Sequence, residues 1–411
     1  MANLRWQAGR ACLLVAAVVG LMSVVPVTGR AADGRVENTA ELPAGLVAAI
    51  GRDLGLDAGE YLRRVDSAQR LSVFAAEMRD RHPGAVRGSW LDGRGTAEVA
   101  VQPGDDGARA AVRAAGFTLA DAGGEDVGGE DAGGVEPGDI SLVAGPVANS
   151  FAPQVTGGDR YVVDNGSACS WAFNALDAEG NPAAVTAGHC DAATGQEDRP
   201  AGGDRGTHEL TSDLKIGAQN GSFEESVMDG VRDYAVVRIA DDARDSFRNN
   251  LVRTSSGTLP ITGVGVPVVG EPVCKSGATT GFTCGVILEV DQPDPQRPPI
   301  RFTHTALSLP GDSGGALVSG TLAMGIVSRG GYTDDPTRFP TDKPDAVQTP
   351  PLPSPLKEIV RRILAGGSRA DFERISPLAD TIFRAHPQLT MIAQSMADVV
   401  AENPGLQIRT N

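Results

Sequence analysis

Between Val155 and about Gly366 the chain rarely runs ten residues without glycine, proline or aspartate. Runs such as "SACSWAFNAL", "PAAVTAGHC", "DYAVVRIA", "TGFTCGVILEV", "GGALVSG" and "LAMGIVSRGG" are short and apolar, with turn residues between them. Long helices cannot be built from such pieces, because Gly and Pro disfavour helix interiors. Short strands at regular spacing can, and the pattern predicts an all-β barrel or sandwich. The 52 glycines and an aromatic content of only 4% agree with many turns and small strands.

The length of 411 residues leaves room for two or three domains. The formal charge of −16 argues against a nucleic-acid partner, which would call for a basic face. Residues 1–31 place Arg5 and Arg10 before the apolar run "ACLLVAAVVGLMSVVPV" and the small residues of "TGRAAD". This is the layout of a secretory signal peptide, with cleavage expected near Ala31 and an extracellular destination. Left uncleaved, the same segment would be a membrane anchor; no later run is apolar and long enough to span a bilayer. Of five cysteines, Cys12 would leave with the signal. Cys169, Cys190, Cys274 and Cys284 remain, an even set that suggests two bridges with three possible connectivities. Metal binding by these cysteines is the rival, but no CxxC pair occurs, so no metal site is expected; no cofactor is expected either.

Residues ~38–120 read as a small α+β domain. Asp57 and Glu60 have the spacing of a helix cap, and Tyr61, Val65, Ala68, Leu71, Phe74 and Met78 recur on one helical face. His82-Pro83 ends that helix, "GSWLDGRGTAEVAVQPG" reads as a hairpin and "GARAAVRAAGF" as a second helix. Residues 121–154 repeat GGED and read as an acidic linker. "SPLKEIVRRILAGG" is expected as an amphipathic helix closing the 155–366 domain. Residues 367–411 are expected to form a helical extension of unknown role, with helices around "PLADTIFRA" and "TMIAQSMADVVAEN".

The stretch "LSLPGDSGGALVSG" holds Ser313 among three glycines. A serine hydroxyl is a poor nucleophile unless a base takes its proton, so a base and a group that orients it are needed elsewhere. His189, after the strand end "AVTAG", is the candidate base. Asp233, at the entrance of "DYAVVRI", is the candidate orienter, because folding alone does not require a carboxylate there. The chain order His189, Asp233, Ser313 differs from the orders of the subtilisins and the α/β-hydrolases.

That order, with "TAGHC" and "GDSGG", resembles the secreted chymotrypsin-like serine proteases. "VTGGDRYVV", "VCKSGATTGFTCGVI" and "DYAVVRI" resemble their bacterial streptogrisin and α-lytic protease branch. The resemblance covers ~155–330, and "GSWLDGRG" with "AAVRAAGF" resembles that branch's pro-region. It implies two six-stranded antiparallel β-barrels with a C-terminal helix, preceded by a pro-region that assists folding. It implies a serine endopeptidase, acting as a monomer on protein or peptide substrates and interacting with its own pro-region. His189, Asp233 and Ser313 would be the triad, and the Gly311 and Ser313 N–H groups the oxyanion hole. Ser328, Arg329 and Gly330 in "VSRGG" would pair with the substrate backbone. Cys169 would bond Cys190, Cys274 would bond Cys284, and Lys275 would pair with Asp312.

Departures from the family pattern bear on specificity. Leu307 stands where some relatives have a bridging cysteine, and "GGYTDDPTRFPTDKPD" offers no partner for one. Thr305, Ala306 and Leu307 include no acid, and Val327 stands where glutamate-cleaving relatives carry histidine. An apolar or small residue before the cleaved bond is expected, although Arg329 could instead favour acidic residues nearby. Two other functions stay open: a secreted binding module on an inactive protease scaffold, and a non-peptide acyl hydrolase, since the same triad cleaves esters.

Overall fold

The computed structural model describes residues 42–120, 154–164, 168–191, 205–210, 216–332 and 389–411. The expected signal peptide, most of the acidic linker, the closing helix at 354–367 and the helix around 377–385 lie outside these residues.

The N-terminal part contains α1 (Ala44–Leu54), α2 (Ala58–Arg81), β1 (Val86–Leu91), β2 (Ala97–Val101), α3 (Asp106–Ala114) and β3 (Thr118–Leu119). The Asp57 carboxylate accepts the Glu60 N–H at 2.8 Å and so caps one of the free amides at the start of α2. Tyr61, Val65, Ala68, Leu71 and Met78 on α2 are buried, whereas Phe74 is half-buried and packs against Phe117. The helix stops at Arg81, with His82 closing on Met78. β1 and β2 form the expected hairpin, and β3 adds in parallel to β2. Helix α1 was not foreseen from the sequence. Its fully buried Leu46 and Ile50 join the core of the β-rich part, each contributing about 1.5–3 kcal/mol of burial.

The first β-sheet uses β4 (Arg160–Val163), β5 (Ala168–Ser170), β6 (Phe173–Leu176), β7 (Pro182–Thr186), β8 (Gly206–Leu210), β9 (Ile216–Met228) and β10 (Asp233–Ile239). These strands form a half-barrel in the order β6-β7-β10-β9-β8-β4-β5. Trp171 fills its interior, stacked on Tyr161 at 4.1 Å and edge-on to Phe247 at 5.6 Å. A two-stranded ribbon, β11 (Leu251–Arg253) with β12 (Thr258–Pro260), follows.

The second sheet contains β13 (Gly263–Val264), β14 (Pro272–Gly277), β15 (Gly281–Asp291), β16 (Arg301–His304), β17 (Ala316–Ser319), β18 (Leu322–Tyr332) and β19 (Leu389–Ser395). Pairing of β18 with both β17 and β19 closes six of these strands into a barrel. After β19 come α4 (Met396–Glu402) and β20 (Gln407–Ile408), which pairs with β6 of the first sheet. The architecture is thus mostly β, with one closed six-stranded barrel and one half-barrel where two six-stranded barrels were expected, and with four α-helices among the described residues. None of these helices is long and apolar enough to cross a membrane.

The expected division at 366/367 does not follow the packing. Residues 389–395, anticipated as part of a helix, form a strand between β16 and β18, and residues 396–408 close onto the first sheet. The run "LTMIAQS" is short and apolar, and such runs carry no decisive periodicity. Two free strand edges decided its conformation.

Candidate active site

Strand β7 is almost wholly buried and ends in the 3-10 turn Gly188–Cys190 that carries His189. Cys190 is bonded to Cys169 on β5. The next residue, Ser170, donates its N–H to the Ser313 carbonyl at 2.8 Å. The disulfide therefore ties the histidine turn to the strand that holds the serine turn. A second disulfide joins Cys274 to Cys284 across the β14–β15 ladder.

Asp233 is the first residue of β10 and is 3% exposed. Its Oδ2 lies 2.8 Å from His189 Nδ1, and its Oδ1 accepts the His189 backbone N–H at 2.8 Å. One carboxylate thus holds both the ring and the main chain of the histidine. The Ser328 hydroxyl donates to the same Oδ2. Burial raises the Asp233 pKa, but the hydrogen bond and charge of His189, with Ser328, outweigh it, so the net direction is down.

Ser313 follows a turn with Gly311 at φ +97° and precedes Gly314 at φ +80°. Both conformations favour glycine. A side chain at Gly314 would also meet Thr186 Oγ1 at 2.0 Å and Ser170 O at 2.5 Å. This close approach sets the serine turn against the end of β7, beside the histidine turn. Ser313 Oγ makes no hydrogen bond among the described residues, and neither the Gly311 nor the Ser313 N–H has an acceptor there. Two amide donors flanking a hydroxyl are therefore available to a ligand.

The turn is braced from below. Asp312 is fully buried; its Oδ1 accepts the Thr279 and Thr280 N–H groups at 2.8 and 3.0 Å, and its Oδ2 the Leu309 N–H at 2.9 Å. Lys275 Nζ stands 3.4 Å from Oδ2. Thr280 Oγ1 links them, receiving from Lys275 and donating to Asp312 at 2.6 Å. Burial lowers the Lys275 pKa, and the Asp312 charge opposes the shift.

Pairing of β18 with β17 ends at Ile326, and Val327 is tied to Gly314 and Gly315. From Ser328 to Gly330 that edge has no partner among the described residues, while β19 occupies the other. Arg329 is exposed on this stretch. Thr305 is exposed, and Ala306 is buried. His304, just before them, is fully buried, with neither ring nitrogen hydrogen-bonded. Burial, with the Lys275 charge, pushes its pKa down to about 3, so the ring is neutral.

The potential metal ligands Cys169, His189 and Cys190 lie within 4.8 Å of one another, but both sulfurs are consumed by the disulfide. Sequence reasoning missed Gln394, whose Oε1 accepts the Asp233 N–H at 3.0 Å. It lies 161 positions away, beyond any local pattern.

No family model matches the chain. Streptogrisin-D of Streptomyces griseus is 32% identical over 195 residues, which cover 44% of this chain and 43% of that protein. Glutamyl endopeptidase 2 of Streptomyces griseus is 33% identical over 175 residues, which cover 42% of this chain and 83% of that protein. The crystal structure of a Nocardiopsis protease, NAPase, is similar at 26% identity and a TM-score of 0.39, covering 62% of this chain and 100% of its own. The chain spans less than half the length of the first curated relatives it matches.

Proposed function

The chain belongs to the chymotrypsin-like serine proteases of the bacterial streptogrisin branch, and from that premise we propose that it is a secreted serine endopeptidase made as a precursor. The observation that carries this reading is the grip of Asp233 on both His189 Nδ1 and the His189 N–H, beside the serine turn. With Nδ1 engaged by the carboxylate, Nε2 of the ring is left to take the Ser313 proton. Ser313 Oγ attacks the scissile carbonyl, and the carbonyl oxygen, now anionic, accepts the Gly311 and Ser313 N–H groups. Each such donor is worth about 3–4 kcal/mol to the transition state. His189 then passes its proton to the leaving amine, and water hydrolyses the acyl-enzyme by the same relay.

The substrate adds as a strand to the free edge at Ser328–Gly330. Thr305, Ala306 and Leu307 include no acid, which suits a small or apolar residue before the cleaved bond. Residues ~38–120 act as the pro-region and depart after cleavage close to Gln154–Val155. Lys275 holds Asp312, and through it the oxyanion-binding turn, whatever the new N-terminus does.

The test is labelling with a serine-reactive fluorophosphonate, followed by a peptide-library cleavage profile. Labelling that Ser313→Ala abolishes, together with endoproteolytic products, is the expected result. A chain that labels but cleaves only esters would be an acyl hydrolase. A chain that never labels would be a binding module.

A further inference from the structure

Strand β7 reaches only as far as Ala235 along β10, so Asp233 lies beyond the end of that ladder. Its N–H is taken instead by a side chain from the far end of the sequence, Gln394 on β19. Gln394 is 1% exposed, and its amide is used at both ends. Oε1 receives the Asp233 N–H at 3.0 Å, while Nε2 donates to the Ile300 carbonyl and to Asp398 Oδ2, each at 2.9 Å. Asp398, fully buried in the first turn of α4, also receives Arg232 Nε at 2.9 Å. Arg232 is the residue before Asp233, so the bonds close a ring: Asp233 to Gln394, Gln394 to Asp398, Asp398 to Arg232 and back along the chain. Glu402 on the same helix receives Arg232 at 3.1 Å and also Arg297.

We propose that Gln394 is a positioning residue for Asp233, and that β19 with α4 is the element that sets where the triad carboxylate stands. This rests on the peptidase reading above. The other described partners of the Asp233 side chain are His189 and Ser328, both acting on its carboxylate, while its backbone is in register with Met228 on β9. The His189 bonds involve the very histidine that Asp233 must orient, and the Ser328 hydroxyl holds only Oδ2. The backbone N–H is a separate handle, and Gln394 grips it from a buried, charge-neutral amide. Glutamine fits this position because one end must accept and the other must donate. A carboxylate there would set two anions against each other at Asp398.

The experiment compares wild type, Gln394→Met and Gln394→Glu, each expressed as the full chain, with active sites counted by fluorophosphonate. The expected result is a fall of roughly ten- to a hundredfold in kcat per labelled site with KM little changed, since small misplacements of triad groups act on the chemical step. The acid limb of kcat should also move to lower pH, because a displaced Asp233 stabilises the imidazolium less. A purely structural role would lower Tm and the number of labelled sites and leave kcat per site and the acid limb in place; that outcome overturns the proposal. If the Gln394 variants do not fold, Asp398→Asn is measured by the same criteria, since it keeps the shape and removes the charge that holds both Gln394 and Arg232. Wild type that never labels would sink the peptidase reading and this proposal with it. A labelled wild type with indifferent variants overturns the proposal alone.

Discussion

The Lys275 ammonium and the Asp312 carboxylate are both fully buried, 3.4 Å apart. Removing either partner leaves an unpaired charge in the interior, which typically costs about 3–5 kcal/mol. Lys275→Met should therefore lower Tm and kcat together, because Asp312 holds Leu309, Thr279 and Thr280 around the serine turn. Thr280→Val removes the hydroxyl between them and should cost less, about 1–3 kcal/mol. Thermal melts and kcat per labelled site check both variants; a silent Lys275→Met would contradict the bracing role.

Ser328→Ala removes a hydrogen bond to an ionised carboxylate, expected to cost about 1.5–3 kcal/mol at pH 7. The Asp233 pKa is depressed below 3.8 in the folded chain. Stability from its ionised form is present above that value and is lost as pH falls through the folded pKa. The difference between wild type and Ser328→Ala should therefore shrink in strong acid. Urea unfolding at pH 7 and at a series of acid pH values descending from 3.8 measures this, and a difference that stays constant through the protonation of Asp233 would exclude the carboxylate as its source.

Glu271 is fully buried where α2 meets the second barrel, with Gln69 Nε2 donating to it at 2.8 Å. Burial pushes its pKa up from 4.5 to about 8, against the hydrogen bonds of Ser319, Gln69 and Val268. If separation from residues 42–120 exposes the group, docking takes up a proton. Affinity should be greatest below about pH 4.5, fall as pH rises and level off above about pH 8. Once the connecting segment is cut, the Kd of the two pieces measured from pH 4 to 9 tests this. Glu271→Gln should flatten the profile, and an unchanged profile in that variant would assign the dependence elsewhere.

The Cys169–Cys190 bridge closes a separation of 21 residues, worth about 3 kcal/mol in the chain-entropy model. Cys169→Ala with Cys190→Ala should lower Tm by several degrees. It should also reduce kcat more than the Cys274→Ala, Cys284→Ala pair does, because only the first bridge connects the histidine turn to the strand that holds Ser313. Equal losses in kcat would refute that distinction.

Much of the protein was legible in its amino-acid order because it is locally encoded. Asp57 caps α2 through a residue three positions away, and the glycines around Ser313 meet backbone demands at their own positions. Short apolar runs bounded by Gly and Pro became strands, and type and order were enough to single out His189, Asp233 and Ser313 as the candidate triad. What the tertiary structure decided is carried by partners far apart in the chain. Gln69 meets Glu271 across 202 positions, and Gln394 meets Asp233 across 161. The run 389–395 is a strand because β16 and β18 offer it backbone partners, and an isolated heptapeptide contains neither. A hydrogen bond between distant segments depends on how the whole chain closes, so local propensity and periodicity carry no trace of it.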